Sequence, residues 1–166
     1  KLEGHTIAFV GDLKYGRTVH SLVKALTHFG AKLYFVAPET LQMPKYILED
    51  LDSLGIEYTL LNDYREIMGE IDVFYMTRIQ RERFPDDEEY EKVKGVYILN
   101  KEDVIGKAKE EMIILHPLPR VNEIAVDLDD TKHALYFKQA ANGVPVRQAL
   151  LSLALGYKAK LQEGDK

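Results

Sequence analysis

Short apolar runs rich in β-branched and aromatic residues alternate along this chain with stretches whose apolar positions recur every three or four residues. That alternation predicts parallel strands joined by crossover helices. Five strands are expected, at Thr6 to Val10, Lys32 to Ala37, Ile56 to Leu61, Ile71 to Thr77 and Met112 to His116. The runs IAFV, LYFVA, VFYM and MIIL are apolar on both faces, the pattern of strands covered by helices on each side. Ile56, Tyr58 and Leu60 instead alternate with Glu57 and Thr59, which places that strand at a sheet edge.

Between the first two strands, Val19, Leu22, Val23 and Leu26 mark one face of a helix, and Gly30 follows where a helix can stop. A second helix has Pro44 near its first turn, Ile47, Leu51 and Leu54 on one face, and Gly55 after it. Asp63 with Glu66 reads as a capping pair for a short third helix, and Asn100 with Asp103 starts a fourth running to about Lys109. The acidic run Asp86 to Glu89 behind Pro85 reads as a helix's charged first turn on a mobile loop. A last helix, Val144 to Tyr157, is apolar nearly all round and must be covered on more than one side. The expected fold is α/β, a doubly wound Rossmann-like three-layer sandwich around a five-stranded, mainly parallel sheet. Residues 1–143 form its body and 144–166 its C-terminal helix, with no linker between them.

Composition narrows the function classes. The 166 residues carry 22 Lys and Arg against 27 Asp and Glu, a formal charge of -5 with no basic stripe, which argues against nucleic acid as a partner. A chain this long can bury a core held by apolar packing alone. With no cysteine, disulfides, thiolate zinc sites and cysteine nucleophiles are excluded together. The early apolar run Ile7 to Val10 and the later Ala149 to Leu155 are both too short for a membrane span, so a cytoplasmic protein is expected.

In a doubly wound sheet, ligands bind beyond the carboxyl ends of the strands. Three loops there stand out: GDLKYGRT (Gly11 to Thr18), TRIQRER (Thr77 to Arg83) and HPLPR (His116 to Arg120). Each holds an arginine, whose planar fork suits carboxylates and phosphates, and Arg17 also opens a helix whose first amides favour an anion. Together they predict a site for a small ligand with more than one negative group. Pro117 and Pro119 stiffen the third loop, and Leu118 to Pro119 is a candidate cis peptide. Backbone carbonyls of such a turn can accept from an amide or amine of the ligand. Gly11, Gly16 and Thr18 fall in register with a phosphate loop, but Arg17 replaces the lysine that would reach terminal phosphates, and no GxGxxG follows the first strand. The histidines His5, His20, His28, His116 and His133 have no metal-ligand spacing, and no metal site is expected.

At these loops the sequence closely resembles the C-terminal half of the catalytic chain of the aspartate carbamoyltransferases. The resemblance rests on VGDLKYGRTVHSL (Val10 to Leu22), YMTRIQRERF (Tyr75 to Phe84), LHPLPRVNEIAVDLD (Leu115 to Asp129) and YFKQAANGVPVRQALL (Tyr136 to Leu151). Ornithine carbamoyltransferases usually carry a cysteine in the HPLP loop, where this chain has Pro117. The resemblance implies transfer of the carbamoyl group of carbamoyl phosphate to L-aspartate on the way to pyrimidines, with no metal or organic cofactor. It assigns the aspartate carboxylates to Arg17 and Arg78, a substrate-orienting role to Gln80, and contacts with carbamoyl phosphate and the attacking amine to the backbone of Leu118 and Pro119. It makes Arg81 to Val93, with Arg83, Glu89 and Tyr90, a loop that moves as domains close, and leaves Arg120 an interdomain salt bridge.

The same resemblance implies partners. The family's chain is about twice this length, and its N-terminal domain carries a carbamoyl-phosphate motif, STRT, that does not occur here. The parent enzyme is expected as a homotrimer, with or without a regulatory chain. The final helix would pack on that N-terminal domain, so here it should expose a contiguous apolar patch or self-associate. Alone, the chain should be inactive. Two rival readings keep part of the site: a stand-alone dicarboxylate-binding module using Arg17 and Arg78, and a nucleotide binder using GDLKYGRT.

Overall fold

The computed structural model describes residues 4–156. Its sheet is wholly parallel, built from β1 (Thr6–Val10), β2 (Lys32–Val36), β3 (Tyr58–Leu61), β4 (Val73–Met76) and β5 (Ile113–Leu115) in the spatial order β3-β2-β1-β4-β5. From β1 the chain winds outward through β2 to β3, then returns to place β4 and β5 on the other side. The carboxyl ends of β1 and β4 therefore flank the point where the winding reverses. There their connections leave in opposite directions and open a crevice.

Period-two alternation divides each central strand between two cores. Ala8, Val10, Tyr34, Val36, Phe74 and Met76 point into one, and Ile7, Phe9, Leu33, Phe35 and Tyr75 into the other. The second core is closed by helix α1 (Arg17–Leu26), through Val19, Val23 and Leu26, and by α2 (Lys45–Ser53), through Ile47 and Leu51. The first is closed by Tyr64, Tyr97, Leu99, Val104, Leu128 and Tyr136. Helices and turns on both faces complete the expected three layers. β3 is the edge strand, with Leu60 exposed, and is two residues shorter than expected, beginning at Tyr58.

One of the two predicted capping pairs forms. Asp63 accepts from the Arg65 amide, not through Glu66, and starts only a 3-10 turn over Tyr64–Ile67, while Asp86, expected inside a first turn, is the cap itself and accepts from the Glu89 amide to start α3 (Asp87–Val93). Asn100 and Asp103 make a reciprocal capping box on α4 (Lys101–Val104). Two helix bounds differ from expectation. The helix predicted to reach Lys109 stops at Val104, because the chain turns at Gly106, whose φ is 77°. The last helix, α5 (Tyr136–Ala154), begins eight residues before the predicted start at Val144, and Pro145 sits inside it instead of in its first turn. The predicted end at Tyr157, and residues to 166, lie outside the described residues. Among the described residues no helix is long and apolar enough to cross a membrane.

The far part of α5 is uncovered. Val144, Val146, Leu150, Leu151 and Leu153, with Leu155 just after the helix, are each between 56% and 74% exposed, so the apolar side chains of this end are open as expected.

Candidate functional site

Gly11, immediately after β1, has φ 116°, and a Cβ added there would stand 2.4 Å from the Thr77 carbonyl oxygen. No other residue type fits so close to its neighbour. The Thr77 amide and hydroxyl both donate to the Val10 carbonyl, at 2.8 and 3.0 Å, which locks the two strand ends together. Just beyond this junction a cleft of about 240 Å³ opens, lined by Asp12, Gly16, Arg17, Thr18, Thr77, Arg78, Gln80, Arg83 and the turn His116 to Pro119. All three loops singled out in the sequence meet there. Leu118 is the one described non-glycine residue with positive φ, at 52°, and the Leu118–Pro119 peptide is cis.

Arg17 is the first residue of α1, is exposed, and makes no salt bridge among the described residues. Arg78 is partly buried, and its Nη2 donates to Glu82 Oε1 at 2.7 Å, while Gln80 Nε2 donates to the same oxygen at 3.0 Å. Glu82's carboxyl lies below the usual glutamate range, held there by its own backbone amide, Arg78 and Gln80. Arg83 bridges the first two loops: its Nη1 donates to the Tyr15 carbonyl at 2.7 Å and lies 3.5 Å from Asp12 Oδ2. Asp12 is fully buried; Oδ1 accepts from the Tyr15 amide, and Oδ2 has no hydrogen-bond partner. Burial pushes its carboxyl above the ordinary aspartate value despite Arg83.

The geometry gathers Arg17, Arg78, Gln80, Arg83, Leu118 and Pro119 as predicted, but not Glu89 and Tyr90. Glu89 lines a separate hollow with Lys14, Tyr15 and Phe84, and Tyr90 a neighbouring one that it shares with Arg78, Lys94 and Asn122. Arg120 also stands elsewhere. It is not left for another domain: its Nη2 donates to Asp129 Oδ2 at 2.6 Å, Nη1 reaches Asp129 and, at 3.1 Å, the Tyr136 hydroxyl, and Tyr136 donates to Asp129 in turn. This closed network inside the chain corrects the expected interdomain bridge. The Arg120 hydrogen bonds hold Asp129 below the ordinary aspartate value, and burial with Asp129 pushes the Tyr136 hydroxyl up to about 12.

Asp12, Glu82, His116 and Glu123 escape the sequence reading as site residues. Asp12 directly follows a strand-end glycine, which was a usable signal; the others depend on how loops fold back, which no spacing reveals. Among the described residues no group of three or more His, Asp or Glu could hold a metal ion. The cleft has guanidinium forks, a helix N-terminus and a rigid turn, and so can orient a small multiply charged anion and stabilise developing negative charge.

A model of the family described as "Aspartate/ornithine carbamoyltransferase, Asp/Orn binding domain" matches residues 3–154. The chain belongs to this family. It is 59% identical over 155 residues to the aspartate carbamoyltransferase catalytic subunit of Chromobacterium violaceum, covering 93% of this chain and 51% of that protein. It is 56% identical over 153 residues to the corresponding subunit of Brachyspira hyodysenteriae, covering 92% of this chain and 43% of that one. The catalytic subunit of M. jannaschii aspartate transcarbamoylase superposes with a TM-score of 0.87 at 52% identity, over 95% of this chain and 52% of that chain. A Trypanosoma cruzi aspartate transcarbamoylase, solved in complex with carbamoyl phosphate and aspartate, gives 0.83 at 37% identity, over 91% and 50%. The chain thus spans about half the length of the relatives it matches.

Proposed function

We propose that this carbamoyltransferase domain binds L-aspartate and supplies that half of an active site which transfers the carbamoyl group of carbamoyl phosphate to the aspartate amine. The observation that carries the reading is the convergence of Arg17, Arg78, Gln80 and the Leu118–Pro119 turn on one cleft at the sheet's switch point. Arg17 and Arg78 grip the two carboxylates, and Gln80 orients the bound molecule. The turn's backbone meets the carbamoyl group and the amine. The amine nitrogen then forms a bond to the carbamoyl carbon, the carbon–oxygen bond to phosphate breaks, one amine proton leaves with the departing phosphate, and the protein contributes placement and charge stabilisation. Arg83 couples the TRIQRER segment to the cleft, and Glu89 and Tyr90 belong to the part that adjusts as a covering domain closes.

A second domain carrying the carbamoyl-phosphate donors, seated on the exposed face of α5, completes the site in this reading. The whole enzyme is a cytoplasmic homotrimer of pyrimidine synthesis, with or without a regulatory chain. Calorimetric titration with succinate, a dicarboxylate lacking the amine, and with ATP tests the cleft: succinate binding supports the reading, and ATP binding in its place overturns it. Mixing the chain with a separately made carbamoyl-phosphate domain and assaying carbamoyl aspartate tests the reaction. Product from the mixture alone is expected. Succinate binding without any complementation would leave a dicarboxylate-binding module instead.

A further inference from the structure

His116 follows β5 directly, is 1% exposed, and has both ring nitrogens engaged. Nδ1 lies 2.8 Å from the Leu118 backbone nitrogen, and Nε2 lies 2.8 Å from Glu123 Oε1. A backbone N–H can only donate, so Nδ1 must be the bare acceptor and Nε2 carries the proton that it donates to Glu123. Glu123 is itself pinned: its Oε2 accepts from the Val121 and Asn122 amides, both at 3.1 Å. The His116 backbone amide donates to Gln139 Oε1 of α5 at 2.9 Å, which ties the start of the turn to that helix. The residue that receives this bracing is Leu118, whose left-handed backbone is disfavoured for a branched side chain and persists only where its surroundings impose it.

We propose that His116 is a positioning residue for the reaction. Fixed by Glu123 as the neutral Nε2–H tautomer, it holds the Leu118 amide and so keeps the turn in the left-handed shape that it presents to the cleft. The ligand that benefits is the one assigned under the proposed function, on which this part of the inference rests. A rigid ring suits the task, because its two nitrogens hold an acceptor and a donor at fixed separation. Glu123 supplies the direction, since a carboxylate beside Nε2 leaves Nδ1 free to accept.

The test uses the 166-residue chain with histidine labelled by ¹⁵N. Long-range ¹H–¹⁵N spectra at neutral pH are expected to show His116 with Nδ1 bare and Nε2 protonated; the opposite tautomer, or a doubly protonated ring, overturns the proposal. This measurement needs no variant and no ligand, so it stands even if succinate fails to bind and the functional reading falls. Two substitutions then separate the nitrogens. His116→Asn can place an amide oxygen where Nδ1 stands, whereas His116→Gln can place an amide nitrogen near Nε2 and offers nothing to the Leu118 amide. We expect Asn to keep the Leu118 amide chemical shift and, mixed with the separately made carbamoyl-phosphate domain, to form carbamoyl aspartate within about twofold of wild type, and Gln to move that shift and lower product formation about tenfold. The reverse ranking, or an unmoved Leu118 amide in the Gln variant, overturns the bracing role. Thermal melts of both variants identify any that is unfolded, in which case the wild-type tautomer decides.

Discussion

Asp12 has a buried carboxylate oxygen with no hydrogen-bond partner, an arrangement that costs stability wherever it occurs. Burial raises its folded pKa above the ordinary value of 3.8, so the folded state favours the protonated form. The penalty is absent below the unfolded value and grows as pH rises through the folded one. Asp12→Asn retains an oxygen for the Tyr15 amide and removes the charge, so its melting temperature at pH 7 should exceed wild type by about 2–4 °C for each kcal/mol relieved. The gain should vanish near pH 4; a lower melting temperature at neutral pH would sink this account. Asp129 works with the opposite sign. Its folded pKa is lowered, chiefly by Arg120, so its stabilisation is present above the unfolded value and is lost as pH falls through the folded one. Arg120→Ala should therefore destabilise by about 1–3 kcal/mol at neutral pH, and by less in acid, in urea titrations at both pH values. Arg17 is exposed and makes no salt bridge among the described residues, so the proposed ligand role is the one its removal should test. Arg17→Ala should leave the melting temperature unchanged and weaken succinate by about tenfold or more in calorimetry. The sequence made Arg17 and Arg78 legible because strand ends are visible in it. Glu82 was not, because only the 3-10 turn at Arg81–Arg83 brings its carboxylate back to Arg78.

At the scale of elements, all five strands were legible because burial on both faces leaves uninterrupted apolar runs, and the edge strand because it does not. Helix starts were legible where a side chain caps them, as at Asp86 and Asn100. Helix ends and the start of α5 were not. Gly106 ends the α4 region by taking up a left-handed conformation, and an added Cβ there would meet nothing within 4 Å. The cost of Gly106→Ala is then conformational alone, about 1–2 kcal/mol, and should appear as an equal fall in stability with no change in succinate affinity. At α5, Pro145 resembles a helix start, yet the chain is already helical from Tyr136, whose buried ring and hydroxyl anchor that first turn to Arg120 and Asp129. Tertiary anchoring outweighs the missing amide of one proline.

For the molecule as a whole, the uncovered face of α5 has a measurable consequence. Five apolar side chains more than half exposed on one helix, with Leu155 at its cap, should drive association at high concentration. Sedimentation is expected to show concentration-dependent species, and Leu151→Glu with Leu153→Glu should return a monomer without altering succinate binding. A wild-type monomer across all concentrations would contradict this. The sequence by itself determined the strand positions, the parallel class, the family and the arginines at the strand ends, since each is a local pattern of polarity, spacing or motif. Only the tertiary structure decided which of those groups act together. It placed β4 beside β1 and so brought Arg17 and Arg78 to one cleft, turned Arg120 inward to Asp129, left Asp12 half-satisfied, and stacked His116 between Glu123 and Leu118. The first of these pairings joins residues distant in the chain and the others depend on how a loop folds back on itself, and their directions follow from packing that no local pattern contains.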